Sequence, residues 1–224
     1  MSKESIRPMK SGAIRKLVIT GMLAAVTIVL GLTPLGLIPI GPLNLTILHL
    51  PVVLGAMLEG PIVGTVLGLA MGGASLYKAF TTPTVLSPLF LNPLVSIVPR
   101  MMIGPVAWLA YTGLKRLVRG RNNNAQEGQT KSTLRSIASA APAAVGAFVG
   151  TMTNTVLVMG SIHLLYADEF AQMLGQPISM AATLIWGMAL ANFLPEAIAA
   201  AVILTPTERA LSHVVNRQMR KRKK

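Results

Sequence analysis

Two basic side chains, Arg100 and Lys78, are the residues of this sequence best placed to do chemistry, because both lie in or beside long apolar stretches. An arginine at membrane depth costs at least about 2.5 kcal/mol and usually serves a function in a bundle interior or a wet cavity. Counting along a helix from Pro93 places Arg100 roughly 10 Å below its outer end. An internal salt bridge is the structural alternative for Arg100, and snorkelling to the membrane surface is the alternative for Lys78.

Counting residues along the predicted helices places several neutral polar residues in the same outer third of the membrane. One of them lies slightly deeper. These residues are Asn44, His49, Asn92, His163 and the deeper Asn154. Each alone is more often hydrogen-bonded to a neighbouring backbone, whereas several at one depth are typical of a small-molecule site. Two cations without an equally deep acid favour an anionic ligand, and we expect a carboxylate.

Glu196 is the acid that could pair with Arg100 inside the membrane. Counted from Ser179, it lies roughly 25 Å down a helix that runs in the same direction as the helix of Arg100. The two side chains should therefore not meet unless this helix starts late. We interpret Glu196 as a helix-packing, hydrogen-bonding residue near the cytoplasmic half.

The other motifs exclude most catalytic chemistry. The sequence has no P-loop, no His-Glu-x-x-His and no Gly-x-Ser-x-Gly motif, and it contains no cysteine. We therefore expect no enzyme: no catalytic residues, no metal and no cofactor. A membrane-embedded enzyme or an assembly protein acting on a lipid-like substrate is the alternative, although the acids Glu59, Asp168 and Glu196 are too scattered for metal and phosphate chemistry.

The elements that position these residues are helices in a membrane. The chain has 224 residues, of which 52% are hydrophobic and 12% charged, whereas a soluble domain carries about twice that share of charge. Several apolar runs reach the roughly 20 residues that a spanning helix needs. We predict an all-α fold, a bundle of six transmembrane helices with both termini cytoplasmic. The predicted helices cover residues 17–38, 43–58, 61–80, 93–117, 134–165 and 179–204.

Polar and basic segments divide the chain around this bundle. We predict a cytoplasmic tail at 1–12, the membrane domain at 13–208 with a cytoplasmic loop at 119–132, and a basic cytoplasmic tail at 209–224. The net charge is +13, and this arrangement puts the basic clusters on one side, the positive-inside distribution of a cell-membrane protein. Nucleic acid is not an expected partner, while the last tail could touch anionic lipid.

Glycine recurs at every fourth position of the third predicted helix, at Gly60, Gly64, Gly68 and Gly72. A helix face without side chains lets another backbone approach closely. We therefore expect Gly64, Gly68 and Gly72 to pack against a neighbouring helix.

Three stretches of the sequence resemble one family of membrane proteins. They are the pair Gly21-xxx-Ala25, the run TILHLPVVLGA at 46–56 that leads into Glu59-Gly60-Pro61, and Val98-Pro99-Arg100-xxx-Gly104. Together with the six-helix layout and with Asn192-xxx-Glu196 in the last predicted helix, they resemble the substrate-binding (S) components of energy-coupling factor (ECF) transporters, closest to the pantothenate-type branch.

This resemblance implies a vitamin-binding protein whose site lies near the outer face, beneath the loops that follow the first and third helices. It also implies docking onto a transmembrane coupling subunit driven by two ATPase subunits. Gly21 and Ala25 would take the place of the family's Ala-xxx-Ala docking motif. The start of the chain lacks the Met-His of nickel and cobalt transporters, which disfavours metal uptake.

Pantothenate, or another small carboxylate vitamin, is the ligand that we expect. Aromatic residues make up only 4% of the chain, which leaves little to stack a flavin or a pterin. Arg100 and Lys78 would clamp the carboxylate, and the loop 81–92, rich in Thr and Pro, would fold over it. The sequence leaves the choice of vitamin open.

Overall fold

The computed structural model describes residues 11–40, 43–122 and 131–221. Residues 1–10 of the predicted N-terminal tail, 123–130 of the predicted loop and 222–224 lie outside this description. The described chain is helical apart from one short antiparallel strand pair, β1 (Leu37–Ile40) and β2 (Leu43–Thr46). The helices are α1 (Ser11–Leu32), α2 (Leu50–Glu59), α3 (Pro61–Thr81), α4 (Ser87–Phe90), α5 (Pro93–Ser96), α6 (Val98–Asn122), α7 (Lys131–Met173) and α8 (Ala181–Lys221).

Five helical segments of the described chain are long and apolar enough to cross a membrane. They are Gly12–Leu32, Pro61–Thr81, Pro93–Val118, Ala140–Met173 and Ile178–Leu211. They confirm the prediction of a helical, multi-pass membrane protein. Helix α2 is not among them, because its 10 residues fall short of the roughly 20 that span a bilayer.

The second predicted helix starts later than expected, at Leu50. Residues 43–46 instead form β2, which pairs with β1 so that Leu37 lies opposite Thr46. Pro51 lies in the first turn of α2, where a proline sacrifices no helical hydrogen bond. Because residues 50–57 are all buried, this short helix is enclosed by the rest of the chain.

Gly60 makes the sharp break between α2 and α3. Its φ of +102° lies in a region that L side chains rarely adopt, so the position requires glycine. At the same end of the bundle, Arg15 Nη2 donates a hydrogen bond to Glu59 Oε1 at 2.9 Å. This ion pair ties the start of α1 to the end of α2.

The glycine stripe of α3 packs against α6 and the residues just before it. A Cβ atom on Gly64 would meet the Cα of Gly104 at 2.6 Å, and one on Gly72 would meet the Cα of Ile97 at 2.8 Å. Between these contacts, Gly68 lies against the backbone at position 100. The close contact brings the end of α3 beside the start of α6.

Several other helix boundaries differ from those predicted. The first helix, predicted at 17–38, is α1, which begins at Ser11 and ends at Leu32. The fourth predicted helix is divided into α5 and α6. Helix α7 continues past the predicted end at 165 and kinks at Tyr166, whose φ of −144° is not helical. Helix α8 runs on to Lys221, so the tail predicted from 209 begins inside a helix.

Candidate functional site

A cavity of about 310 Å³ lies where the end of α3 meets β2, α6, α7 and α8. A volume of this size suits a small molecule. Its lining combines two basic side chains, one acid, two side-chain amides and several hydroxyls. The lining residues are Gly31, Thr46, Leu48, Met71, Ser75, Lys78, Ala79, Thr82, Thr84, Ser87, Phe90, Arg100, Asn154, Thr155, Val158, Met159, Ala189, Asn192 and Glu196.

Arg100 reaches the cavity from the first turn of α6 and is only 7% exposed. Its Nη1 donates a hydrogen bond to the carbonyl oxygen of Val95, and its guanidinium carbon lies 5.5 Å from the centre of the Phe90 ring. Among the described residues, its Nε has no hydrogen-bond partner and no acid lies within ion-pair distance. The internal salt bridge considered as an alternative is therefore not formed by the described side chains, and Arg100 has a donor left for a ligand.

Lys78 and Asn154 line the same cavity from two other helices. Lys78 lies in the last turn of α3, and Asn154 lies in α7. The side-chain oxygen of Asn154 is buried without a hydrogen-bond partner in the described structure. A buried acceptor in this condition costs about 1–3 kcal/mol, so a ligand that donates a hydrogen bond to Asn154 would offset that cost.

The loop 81–92, expected to cover the site, contributes to one wall of the cavity. Thr82, Thr84, Ser87 and Phe90 all line it. The Oγ of Ser87 accepts a hydrogen bond from the backbone N–H of Thr84 at 2.7 Å, which closes a tight turn before α4. The carbonyl oxygen of Phe90 accepts a hydrogen bond from Ser96 Oγ, and this bond fixes the loop against α5.

Glu196 also lines the cavity, so an acid does accompany the two cations, contrary to the expectation. It forms no ion pair with Arg100 among the described side chains. Its side chain is 5% exposed, and its Oε1 accepts a hydrogen bond from the backbone N–H of Thr46 at 2.8 Å. Depths counted along separate helices miss this arrangement because β2 folds back against α8.

Two predicted site residues make contacts elsewhere and do not line the cavity. His49 is buried at the start of α2, and its Nε2 shares a hydrogen bond with Thr151 Oγ1 at 2.9 Å. Asn92 caps α5 with its side-chain oxygen and donates through Nδ2 to the hydroxyl of Tyr166 at 2.9 Å. These contacts join α2 and α5 to α7, so both residues stabilise elements that surround the cavity.

His163 also lies outside the lining, and the side chain of Asn44 lies outside the described part of the structure. The imidazole of His163 has its ring centre 6.3 Å from that of Trp186, in a contact between α7 and α8. Asn44 lies in β2, two residues before the lining residue Thr46, and pairs with Pro39 through the strand register. Of the six predicted site residues whose side chains the structure describes, Lys78, Arg100 and Asn154 line this cavity.

Gly21 and Ala25, the predicted docking pair, lie on an exposed face of α1. A Cβ atom on Gly21 would meet nothing within 4 Å. Gly21 therefore has open space beside it in the described chain, and the exposed Ala25 lies on the same face.

Asn192 and the hydroxyl groups of the lining were not among the residues predicted to bind the ligand. Serine and threonine are poor signals in membrane helices, because their hydroxyls commonly bond to a carbonyl of their own helix. A signal did exist for Asn192, which lies four residues before Glu196 and therefore on the same helix face. Glu196 could therefore have pointed to Asn192 as a second polar residue on this face of α8.

The charged groups of the lining suit an organic anion. Lys78 and Arg100 are basic, and Glu196 is the acid that faces them. Nowhere in residues 11–40, 43–122 and 131–221 do three or more His, Asp or Glu side chains cluster as metal ligands would. A carboxylate has the charge and the planar acceptor geometry that the arginine can bind.

Comparison with known proteins places this chain in a family. A family model described as "ECF transporter, substrate-specific component" matches residues 15–207. The chain is 28% identical over 191 residues to the pantothenic acid transporter PanT of Lactococcus lactis subsp. cremoris (strain MG1363), covering 78% of this chain and 81% of that protein. It is 31% identical over 109 residues to the pantothenate transporter PanT of Leuconostoc mesenteroides subsp. mesenteroides, covering 46% of this chain and 53% of that protein. Because the family match spans most of the sequence, the chain belongs to the substrate-specific components of ECF transporters.

Proposed function

We propose that this protein captures pantothenate, or a closely similar small carboxylate vitamin, as the binding component of an ECF importer. Membership of the family makes it a transport component rather than an enzyme. The observation that carries the ligand proposal is the state of Arg100, which is buried at the cavity without an acid partner among the described residues. A carboxylate would accept two parallel hydrogen bonds from such a guanidinium.

The polar groups of pantothenate match those of the cavity in kind. The vitamin carries one carboxylate, one amide and two hydroxyls on a flexible aliphatic chain. Arg100 and Lys78 complement the carboxylate, while Asn154 offers its buried, unpaired oxygen to a hydroxyl or amide donor. The cavity of about 310 Å³ is at the small end of ligand sites. The names of the two PanT relatives support the same ligand.

The other predicted site residues support the cavity in this proposal. His49 holds α2 against α7, and Asn92 holds α5 against the kink of α7. His163 lies at the contact between α7 and α8, and Asn44 belongs to the strand that carries Thr46 to the cavity. We therefore assign direct ligand contact to Lys78, Arg100 and Asn154.

Six crossings with both termini on the cytoplasmic side form the second part of the proposal. The ion pair of Arg15 with Glu59 supports it, because Arg15 lies near the start of α1 and Glu59 at the end of α2. The chain between residues 33 and 59 must therefore return to the side on which α1 began. The strand pair and α2 together make this crossing, although α2 alone is too short for it.

Delivery of the vitamin is proposed to follow the family's scheme. The exposed face of α1 around Gly21 and Ala25 would dock on the transmembrane coupling subunit, which works with two ATPase subunits. Small residues there allow a close approach of another helix. The basic C-terminal residues would lie near the anionic lipid of the inner leaflet of the cell membrane.

Binding measured on the purified protein tests the ligand proposal. Calorimetry would compare pantothenate with four other vitamins. Biotin and nicotinate also carry a carboxylate, whereas thiamine and riboflavin carry ring systems and no carboxylate. We expect pantothenate to bind at least about tenfold more tightly than any of the others, a difference of about 1.4 kcal/mol. Tighter binding of thiamine or riboflavin would contradict the proposal.

A further inference from the structure

Glu196 is a residue that the proposed carboxylate clamp does not explain. It lines the cavity together with Arg100 and Lys78, yet it forms an ion pair with neither in the described structure. Buried acids are usually paired, because an unpaired charge away from water is costly. The position of Glu196 within a site for an anion therefore calls for a reason.

The contact that Glu196 does make lies at the edge of the cavity. Its Oε1 accepts the backbone N–H of Thr46 at 2.8 Å, and Thr46 is itself part of the lining. The hydrogen bond holds the end of β2 against α8 and fixes the carboxyl group in place. The carboxyl group is consequently a fixed feature of the cavity wall.

We propose that Glu196 is a specificity-determining residue of the site, whose negative charge admits ligands with one anionic group and rejects those with two. The inference rests on the proposed function, since it assumes that the cavity binds a carboxylate. Two cations and one acid face the cavity among the described side chains. A singly charged ligand balances this set, whereas a second anionic group meets an acid with no cation left to neutralise it.

The discrimination should be large, because Glu196 is only 5% exposed and like charges that are shielded from water repel each other strongly. The ligands to be rejected are relatives of the vitamin that carry a phosphate group or a second carboxylate. A site with two cations and no acid would bind those relatives well, since each would satisfy both cations. Glu196 removes that advantage, while a single carboxylate can still pair with Arg100.

A matched pair of ligands tests charge without changing shape. In the first compound, aspartate replaces the β-alanine part of pantothenate, which adds a second carboxylate to the same skeleton. In the second compound, isoasparagine takes this place, so the added group is a neutral amide of nearly equal size. Calorimetry on the full-length protein gives the ratio of the two affinities, together with the affinity for pantothenate itself.

We expect the wild-type protein to bind the amide compound at least about tenfold more tightly than the dicarboxylate. Glu196→Gln keeps an acceptor for Thr46 but removes the charge. For this variant, the affinities for the amide compound and the dicarboxylate should agree to within about twofold. Glu196→Asp keeps the charge and should keep the ratio. Glu208→Gln is the control, because Glu208 is another buried acid of α8 that lies outside the cavity lining. Its Oε1 accepts a hydrogen bond from the hydroxyl of Tyr111 at 2.6 Å. The affinity ratio should not change in this variant.

The outcomes separate this inference from the proposed function. A wild-type protein that binds neither pantothenate nor the amide compound overturns both. Three results would overturn the role of Glu196 alone. The wild type could bind the two compounds equally, the ratio of their affinities could stay unchanged in Glu196→Gln, or this ratio could fall equally in Glu208→Gln. If Glu196→Gln cannot be purified, Glu196→Ser takes its place, because it also removes the charge. The same result is expected of it.

Discussion

The main-chain carbonyl oxygen of Arg100 occupies the space in which any Cβ atom on Gly68 would lie. The contact joins α3 to α6 at the residue whose side chain lines the cavity. A shift of α6 away from α3 would therefore move the guanidinium as well. Helix packing and the geometry of the site are coupled through this one backbone contact.

Gly68→Ala should destabilise the protein, because neither backbone can yield to the new Cβ atom. We expect a cost of about 1–3 kcal/mol, as for other overpacked cores, or a fall of roughly 2–12 °C in the thermal midpoint. Thermal unfolding of the detergent-purified protein measures it. Gly73→Ala is the control, because Gly73 is exposed and its Cβ would meet nothing within 4 Å. An equal midpoint for the two variants would show that the contact is loose.

Arg100→Ala should weaken pantothenate binding by about 2–4 kcal/mol, or about 30- to 1000-fold, because it takes the buried guanidinium away from the carboxylate and leaves only Lys78 beside it. Arg100→Lys should recover only part of the loss, since an ammonium cannot make the planar two-pronged contact. Calorimetry on folded variants measures both. An unchanged affinity in Arg100→Ala would reduce the arginine to a structural residue that holds Val95 and Phe90.

Gly21→Leu should abolish docking on the coupling subunit and leave vitamin binding intact. Its side chain would project from the exposed face of α1 where no other part of the described chain lies, so it should not disturb the fold. Co-purification with the coupling subunit and calorimetry measure the two properties. Gly187→Leu on α8, where a Cβ also meets nothing within 4 Å, is the control for added bulk. Joint loss of docking and binding would indicate misfolding instead.

Thr151→Val should lower stability more than affinity. It leaves His49 without the partner of its Nε2, a buried hydrogen bond of 2.9 Å, and an unsatisfied buried group costs about 1–3 kcal/mol. Neither residue lines the cavity, so the affinity for pantothenate should change less than about threefold. Thr153→Val removes only a bond within α7 and is the control. A large loss of affinity at normal stability would make His49 a ligand residue.

The sequence predicts the parts of this site that depend on one helix at a time. Arg100 stands out because it is a lone charge in an apolar run, and the glycines at Gly64, Gly68 and Gly72 share one helix face whatever lies beside it. The place of Glu196 could not be predicted in this way. It depends on a hydrogen bond to Thr46, which is 150 residues away in the chain. It also depends on β2, whose residues 43–46 were predicted to begin a helix.

Calorimetric titration with pantothenate and with pantothenol, its alcohol analogue, is the most direct test of the carboxylate clamp. The two compounds differ only where the carboxylate is replaced by an alcohol. We predict that pantothenol binds the wild-type protein at least about 30-fold more weakly, a difference of about 2 kcal/mol, and that Arg100→Ala removes most of this difference. Equal affinities of the wild-type protein for the two compounds would contradict the clamp.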